Sequence, residues 1–171
     1  MPAIAQRQQL LAILDQAYDR RSWHGTNLRG SLRGLSARRA AWRPARGRHN
    51  IWELVVHAAY WKYAVRRRLT GAARGSFPLK GSNWFRRPID DSEQAWRSDL
   101  ALLDATHRSL RTAVAGFPIA RLHRRLADSH ETGFSLISGA AAHDLYHAGQ
   151  IQLLKRLVQA ALFSSLLGAS R

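Results

Sequence analysis

Apolar residues along this chain return every three or four positions, the period of one helix face, and nowhere alternate as a half-buried strand requires. From Ile4 to about Arg20 the stripe is Ile4, Leu11, Leu14 and Tyr18. Gly25 interrupts it in "SWHGTN", and Leu28 to Leu35 resumes it, so a first helix broken or kinked at that point is expected. Pro44 and Gly47 mark a loop, after which Asn50 and Glu53 have the spacing of an N-cap and its third-position carboxylate. A second helix follows to Gly71, with Ile51, Leu54, Ala58, Trp61 and Val65 on its apolar face. The stretch from Gly71 to Pro88 carries three glycines, two prolines and no periodicity, and reads as a long connection. Asp90 and Glu93 offer a second capping signature. They precede a third helix whose seam is Trp96, Leu100, Leu103, His107, Leu110 and Val114. Beyond a loop from Gly116 to Gly133, a last helix runs from about Ser135 toward Leu167 with Ile137, Ala140, His143, His147, Ile151, Leu154 and Val158 along one side. The pattern predicts an all-α protein, a four-helix bundle with one lengthy crossover between its second and third helices.

Composition narrows the picture. At 171 residues, 46% hydrophobic and 22% charged, the chain is expected to be a single domain spanning residues 1–171 with a core of its own. No apolar run approaches the roughly 20 residues of a bilayer span, and the amino terminus reads as a helix rather than a secretion signal, so a cytoplasmic protein without a membrane partner is expected. Zero cysteines exclude disulfides, thiolate ligands and a cysteine nucleophile; any metal must take nitrogen or oxygen. The balance of 27 basic to 11 acidic residues, a formal +16, attracts anions without any specific site. Because the arginines are scattered rather than gathered into one block, nucleic-acid binding stays an alternative and is not the favoured reading. The apolar "LVQAALFSSLLG" near the carboxyl end could extend a homodimer contact.

The candidate chemistry lies in "HDLYHAGQIQLLKRL". His143 and His147, four apart on a helix, share a face one turn apart and can point at a single ion. That face is also the apolar stripe, where an unpaired imidazole costs on the order of 1 to 3 kcal/mol. His57 sits within the apolar stripe of the second helix, between Leu54 and Trp61. Two readings stay open on the residues alone: three hydrogen-bonded core histidines, or three imidazole ligands from facing helices with a position left for water or substrate.

The segments "RHNIWELVVHAAYWKYAVRRRLTG" and "LISGAAAHDLYHAGQIQLLKRL" resemble the DinB/YfiT-like superfamily of metal-dependent enzymes, whose pattern places one histidine in the second helix and H-x-x-x-H, a glycine and "QI" in the last. Those positions are His57, His143, His147, Gly149, Gln150 and Ile151; weaker similarity extends through "AAWRP" and "GSFPLKGSNW". The resemblance implies an up-down-down-up bundle that binds a divalent metal through His57, His143 and His147. It also implies hydrolysis of a small molecule or transfer of a low-molecular-weight thiol to a small electrophile. Zinc, nickel and iron(II) all accept imidazole. With no cysteine in the chain, the thiol would come from solution. A bundle whose metal is purely structural remains a third reading.

Three further residues are pocket candidates. Tyr146 and Gln150 flank the ligand positions and are placed to orient ligands or substrate, or simply to pack. Asp144 gives the motif a superficial likeness to the general base of H-E-x-x-H proteases, one methylene shorter, and is otherwise a residue facing a neighbouring helix or solvent. His24 borders the expected break in the first helix; His107 belongs to the third-helix seam; His49, His123 and His130 carry no assignment. Trp84, Phe85, Arg86 and Arg87 suit an acidic or aromatic substrate, but are read first as anchors of the long loop.

Overall fold

A computed structural model describes residues 3–127 and 129–168, with side chains for 5–127 and 129–162. The chain is all-helical: α1 spans Ala3–Tyr18, α2 Leu28–Ser31, α3 Ala37–Ala41, α4 Ile51–Thr70, α5 Glu93–Gly116 and α6 Gly133–Gly168, with a 3-10 turn at Ile119–Arg121 before α6. Among the described residues there is no strand, only an isolated bridge between Arg125 and Thr132. Among the described residues no helix is long and apolar enough to cross a membrane.

Local chemistry accounts for most boundaries. Asn50 caps α4, its Oδ1 accepting from the Glu53 amide at 2.8 Å, and Gly71 ends the helix in the left-handed conformation (φ 71°) that a side chain disfavours. The cap of α5 is Ser92, whose Oγ accepts from the Ala95 amide, and not the expected Asp90. Asp90 instead accepts from the Ser92 amide, and Glu93 accepts from the Ala37 amide, holding α3 against the start of α5. The expected break after α1 is present, but Leu28 to Leu35 forms only a four-residue helix capped by Asn27, followed by a turn. In α1 the buried stripe is Leu10, Leu14, Ala17 and Tyr18, with Leu11 half-buried; Ile4 lies outside the described side chains. So do residues 163–168, which carry much of the apolar carboxyl-terminal stretch.

α4 is the central element, packed against α3, α5 and α6, while α1 packs against α2, α5 and α6. Along α4 and α5, contacts rise together: Trp52 Nε1 donates to Asp99 Oδ2 (2.7 Å) and Arg66 Nε to Ser109 Oγ (3.2 Å). The chain must therefore return along the length of α4, roughly 30 Å for 20 residues, before α5 begins, which accounts for the long segment between them. Along α4 and α6 contacts run oppositely, His57 beside His147 and Lys62 beside Asp144. Asp15 with Arg111 and Tyr18 with Asp104 give the same opposed sense to α1 and α5.

Two apolar clusters fill the interior. One, built on Trp52, Ile51, Val55, Trp96 and Leu103, holds the α2–α3 segment and the long connection against α4 and α5. The other joins Leu10 and Leu14 of α1 to Leu110, Leu122, Ile137 and Ala141.

Candidate metal centre

His57 projects from the middle of α4 and His143 and His147 from successive turns of α6, and their ligand-capable nitrogens all lie within 4.8 Å of one another. His57 and His147 are buried, with His143 partly exposed. The Nε2 of His143 is 3.2 Å from Nε2 of His57 and 3.0 Å from Nε2 of His147.

The opposite ring nitrogens are occupied. His57 Nδ1–H donates to the Asn83 carbonyl at 2.8 Å, and His147 Nδ1–H donates to Gln150 Oε1 at 2.7 Å. A neutral imidazole that donates from Nδ1 presents its lone pair at Nε2. Two such lone pairs face His143, which carries at most one N–H at its own Nε2 and cannot satisfy both fully. A single cation satisfies all three. Imidazole nitrogens held at 2.0 to 2.1 Å on a tetrahedral ion stand about 3.4 Å apart, close to the spacings present here. The residues fit a divalent ion.

Electrostatics hold the rings neutral. Burial lowers the His57 pKa to about 4, with His147 and His49 adding to the fall and the Asn83 carbonyl opposing it. Burial, with His147, His57 and Lys62 nearby, lowers His143 to about 3. Burial also lowers His147 against the opposing bond to Gln150. Neutral rings keep their lone pairs free for coordination.

The other sequence candidates occupy distinct places. Gln150 touches His147 directly. Tyr146, 64% exposed, stands at the rim with its ring 5.1 Å from that of His147. Asp144 is buried and faces α4, where its Oδ2 accepts from Lys62 Nζ and its Oδ1 has no partner. His107 stacks on Tyr18 at 3.7 Å in the core, and His24 and His130 are exposed. His123 Nε2 lies 3.3 Å from the Gln6 amide nitrogen near the start of α6. Phe85 is buried against Tyr60 and Phe77, and Arg87 pairs with Asp99, so both anchor the crossover as expected; Arg86 is exposed.

Three residues of the site were not singled out for it by the sequence. Trp84 does more than anchor: its ring is sandwiched between His49 (3.7 Å) and His57 (3.8 Å). His49 Nδ1 in turn meets Glu53 Oε2 at 2.9 Å. Burial raises the Glu53 carboxyl, but hydrogen bonds from Arg43, His49 and the Arg87 amide outweigh it and leave Glu53 below the usual range. Asn83 sits in the left-handed conformation (φ 63°), which asparagine tolerates better than most residues, and also accepts from Trp61 Nε1 through its side chain. The one sequence signal for it was its place in "GSNW", between a glycine turn and an aromatic.

Two cavities reach the cluster. One of about 580 Å³ adjoins His147 and is walled by Trp84, Leu54, Leu153, Leu154 and Leu157, with Arg48 and Gln150 as polar members. A second, of about 200 Å³, adjoins His143 between Trp61, Arg68 and Leu136.

A family model described as the DinB superfamily matches residues 20–151, a span that contains all three histidines, and the chain belongs to that superfamily. No curated protein and no solved structure matches the chain.

Proposed function

We propose that this protein is a cytoplasmic metal-dependent enzyme, a hydrolase or small-thiol transferase acting on a small molecule, with His57, His143 and His147 as the ligands of a divalent ion. The observation that carries the reading is the convergence of three imidazoles, of which His57 and His147 are fixed from behind by Asn83 and Gln150 so that their Nε2 lone pairs face His143. A divalent ion held there supplies Lewis-acid chemistry that makes water or a thiol nucleophilic at neutral pH.

The chain's own residues supply the rest. Trp84 closes one face of His57 against water, and the leucine-walled cavity beside His147 receives the apolar part of a substrate. Arg48 and Tyr146 at its edge orient a polar or anionic group. Asp144, committed to Lys62, serves to hold α6 in register rather than to move a proton.

The same reading takes the whole chain as one domain with four long helices in up-down-down-up order. Its support is the rising pairs between α4 and α5 and the opposed pairs between α4 and α6 and between α1 and α5.

The test is elemental analysis of the purified protein, followed by a screen of esters, amides and thiol-acceptor pairs with and without chelator. About one equivalent of metal, turnover with at least one substrate and loss of that turnover on chelation are expected. A protein that takes up neither zinc, nickel nor iron(II) overturns the metal site. One that holds metal and turns over nothing makes the ion structural.

A further inference from the structure

Between the carboxyl-terminal half of α4 and the crossover opens a cavity of about 510 Å³, which shares Trp61 and Arg68 with the smaller cavity beside His143. Among the described residues its lining includes Arg67, Arg68, Arg74 and Lys80, and not one carboxylate. Among the described residues none of the ion pairs uses any of these four cations. Arg67 is only 9% exposed, and Arg68 has its Nε enclosed without a hydrogen-bond partner while its guanidinium lies 5.9 Å from the Trp61 ring. The nearby carboxylate of Glu131 borders a neighbouring cavity and is held by Ser135.

A guanidinium taken out of water without a counter-charge is unfavourable, and burial is normally accompanied by pairing. Here four cations without an ion pair gather around a concave site, and an anion is the partner that such an arrangement suits. Arginine's planar fork matches phosphate oxygens two at a time, and several cations around one opening suit a dianion better than a carboxylate. The cavity also has an aromatic wall, Phe77 lying 5.4 Å from Tyr60 and 5.3 Å from Tyr63. We propose that this cavity, which none of the three histidines lines, binds a phosphate-bearing small molecule, with Arg67 and Arg68 on the phosphoryl oxygens, Arg74 and Lys80 at the mouth, and the tyrosines against the organic part.

Calorimetric titration of the full chain with phenyl phosphate, inorganic phosphate and benzoate at physiological ionic strength tests the assignment. One saturable site is expected for the phosphates, with benzoate at least about tenfold weaker. Tighter binding of phenyl phosphate than of inorganic phosphate identifies an organic phosphomonoester as the ligand, and equal binding identifies free phosphate; both outcomes uphold the site. The exposed pair Arg74→Glu/Lys80→Glu should weaken binding at least about tenfold with an unchanged melting curve. Arg67→Gln should do the same if it folds, and His143→Ala should leave phosphate binding intact. Absence of saturation with both phosphates, equal affinity for benzoate, or indifference to the charge-reversed pair overturns the proposal. So does a chain that binds duplex DNA under these conditions but neither phosphate.

Discussion

Gln150 illustrates how a single side chain sets the character of the histidine cluster. Its Oε1 takes the Nδ1 proton of His147, which both fixes the ring's orientation and leaves Nε2 as the free lone pair. Replacing it with leucine removes that hold while keeping the helix, so the affinity for divalent metal should fall on the order of 10- to 100-fold. Competition against a chromophoric chelator measures this, and wild-type affinity in Gln150→Leu would show that the ring is positioned by packing alone. His143→Ala removes the central nitrogen of the three and should reduce bound metal from about one equivalent to near zero, read by elemental analysis. At this scale the sequence was informative where function rides on a helical period. His143 and His147 stand out because i, i+4 spacing on an apolar face is visible in one dimension, and His57 because it interrupts another apolar stripe. Asn83, His49 and Trp84 lie in or beside loops, where no period fixes which way a side chain turns. Their roles in clamping and covering His57 depend on where the long connection lands.

Between elements, the contact that fixes α4 against α6 is the buried pair of Lys62 and Asp144, 2% and 1% exposed at their side chains. Neither charge can reach water, so the loss of either partner leaves the other uncompensated. Lys62→Met should therefore destabilise the protein by about 3 to 5 kcal/mol, observed as a lowered urea midpoint. Burial already raises the Asp144 carboxyl while Lys62 opposes it. With the lysine gone, Asp144 should rise further, and acidification should shrink the deficit of the variant by protonating it. The double variant Lys62→Met/Asp144→Leu should recover much of the loss; equal instability of the single and double variants would place the cause in packing instead of charge. This pairing was not legible in the sequence, because it requires the register of two helices far apart in the chain. The four long helices were legible, since amphipathic stripes and glycine or proline breaks are local, whereas the short α3 and the 3-10 turn before α6, too short for a period, were not. Caps were legible only in part: Asn50 had no rival, whereas Asp90 and Ser92 both suit a cap, and the choice fell to Ser92 once Glu93 was drawn away to the Ala37 amide.

For the whole molecule, acid is the sharpest probe, because four histidines are folded into it in their neutral form. His107 joins His57, His143 and His147: burial lowers it to about 3, with Lys62 adding to the fall, and its ring is locked against Tyr18. In the unfolded chain each titrates near its ordinary value of about 6.5. Between that value and the lowered folded ones the unfolded state binds more protons, so stability is complete above pH 6.5 and declines as the pH falls toward 3 to 4. Each histidine contributes a slope of up to about 1.4 kcal/mol per pH unit in that window. Asp144, with its raised carboxyl, acts in the opposite sense, and the growing excess of positive charge on a chain already at +16 acts with the histidines. The chelated protein should therefore lose melting temperature steadily from pH 7 to pH 5. His107→Phe, which keeps an aromatic ring against Tyr18, should flatten that profile without touching the three clustered rings. Metal should act on the same profile from the other side: an ion present at 100 times its Kd adds about 2.7 kcal/mol to the folded state at neutral pH. That gain should be absent in His143→Ala. A melting temperature that is level between pH 7 and pH 5 in the metal-free protein would mean that these rings are charged or solvated in the fold, and three neutral nitrogens facing one another would no longer describe the cluster.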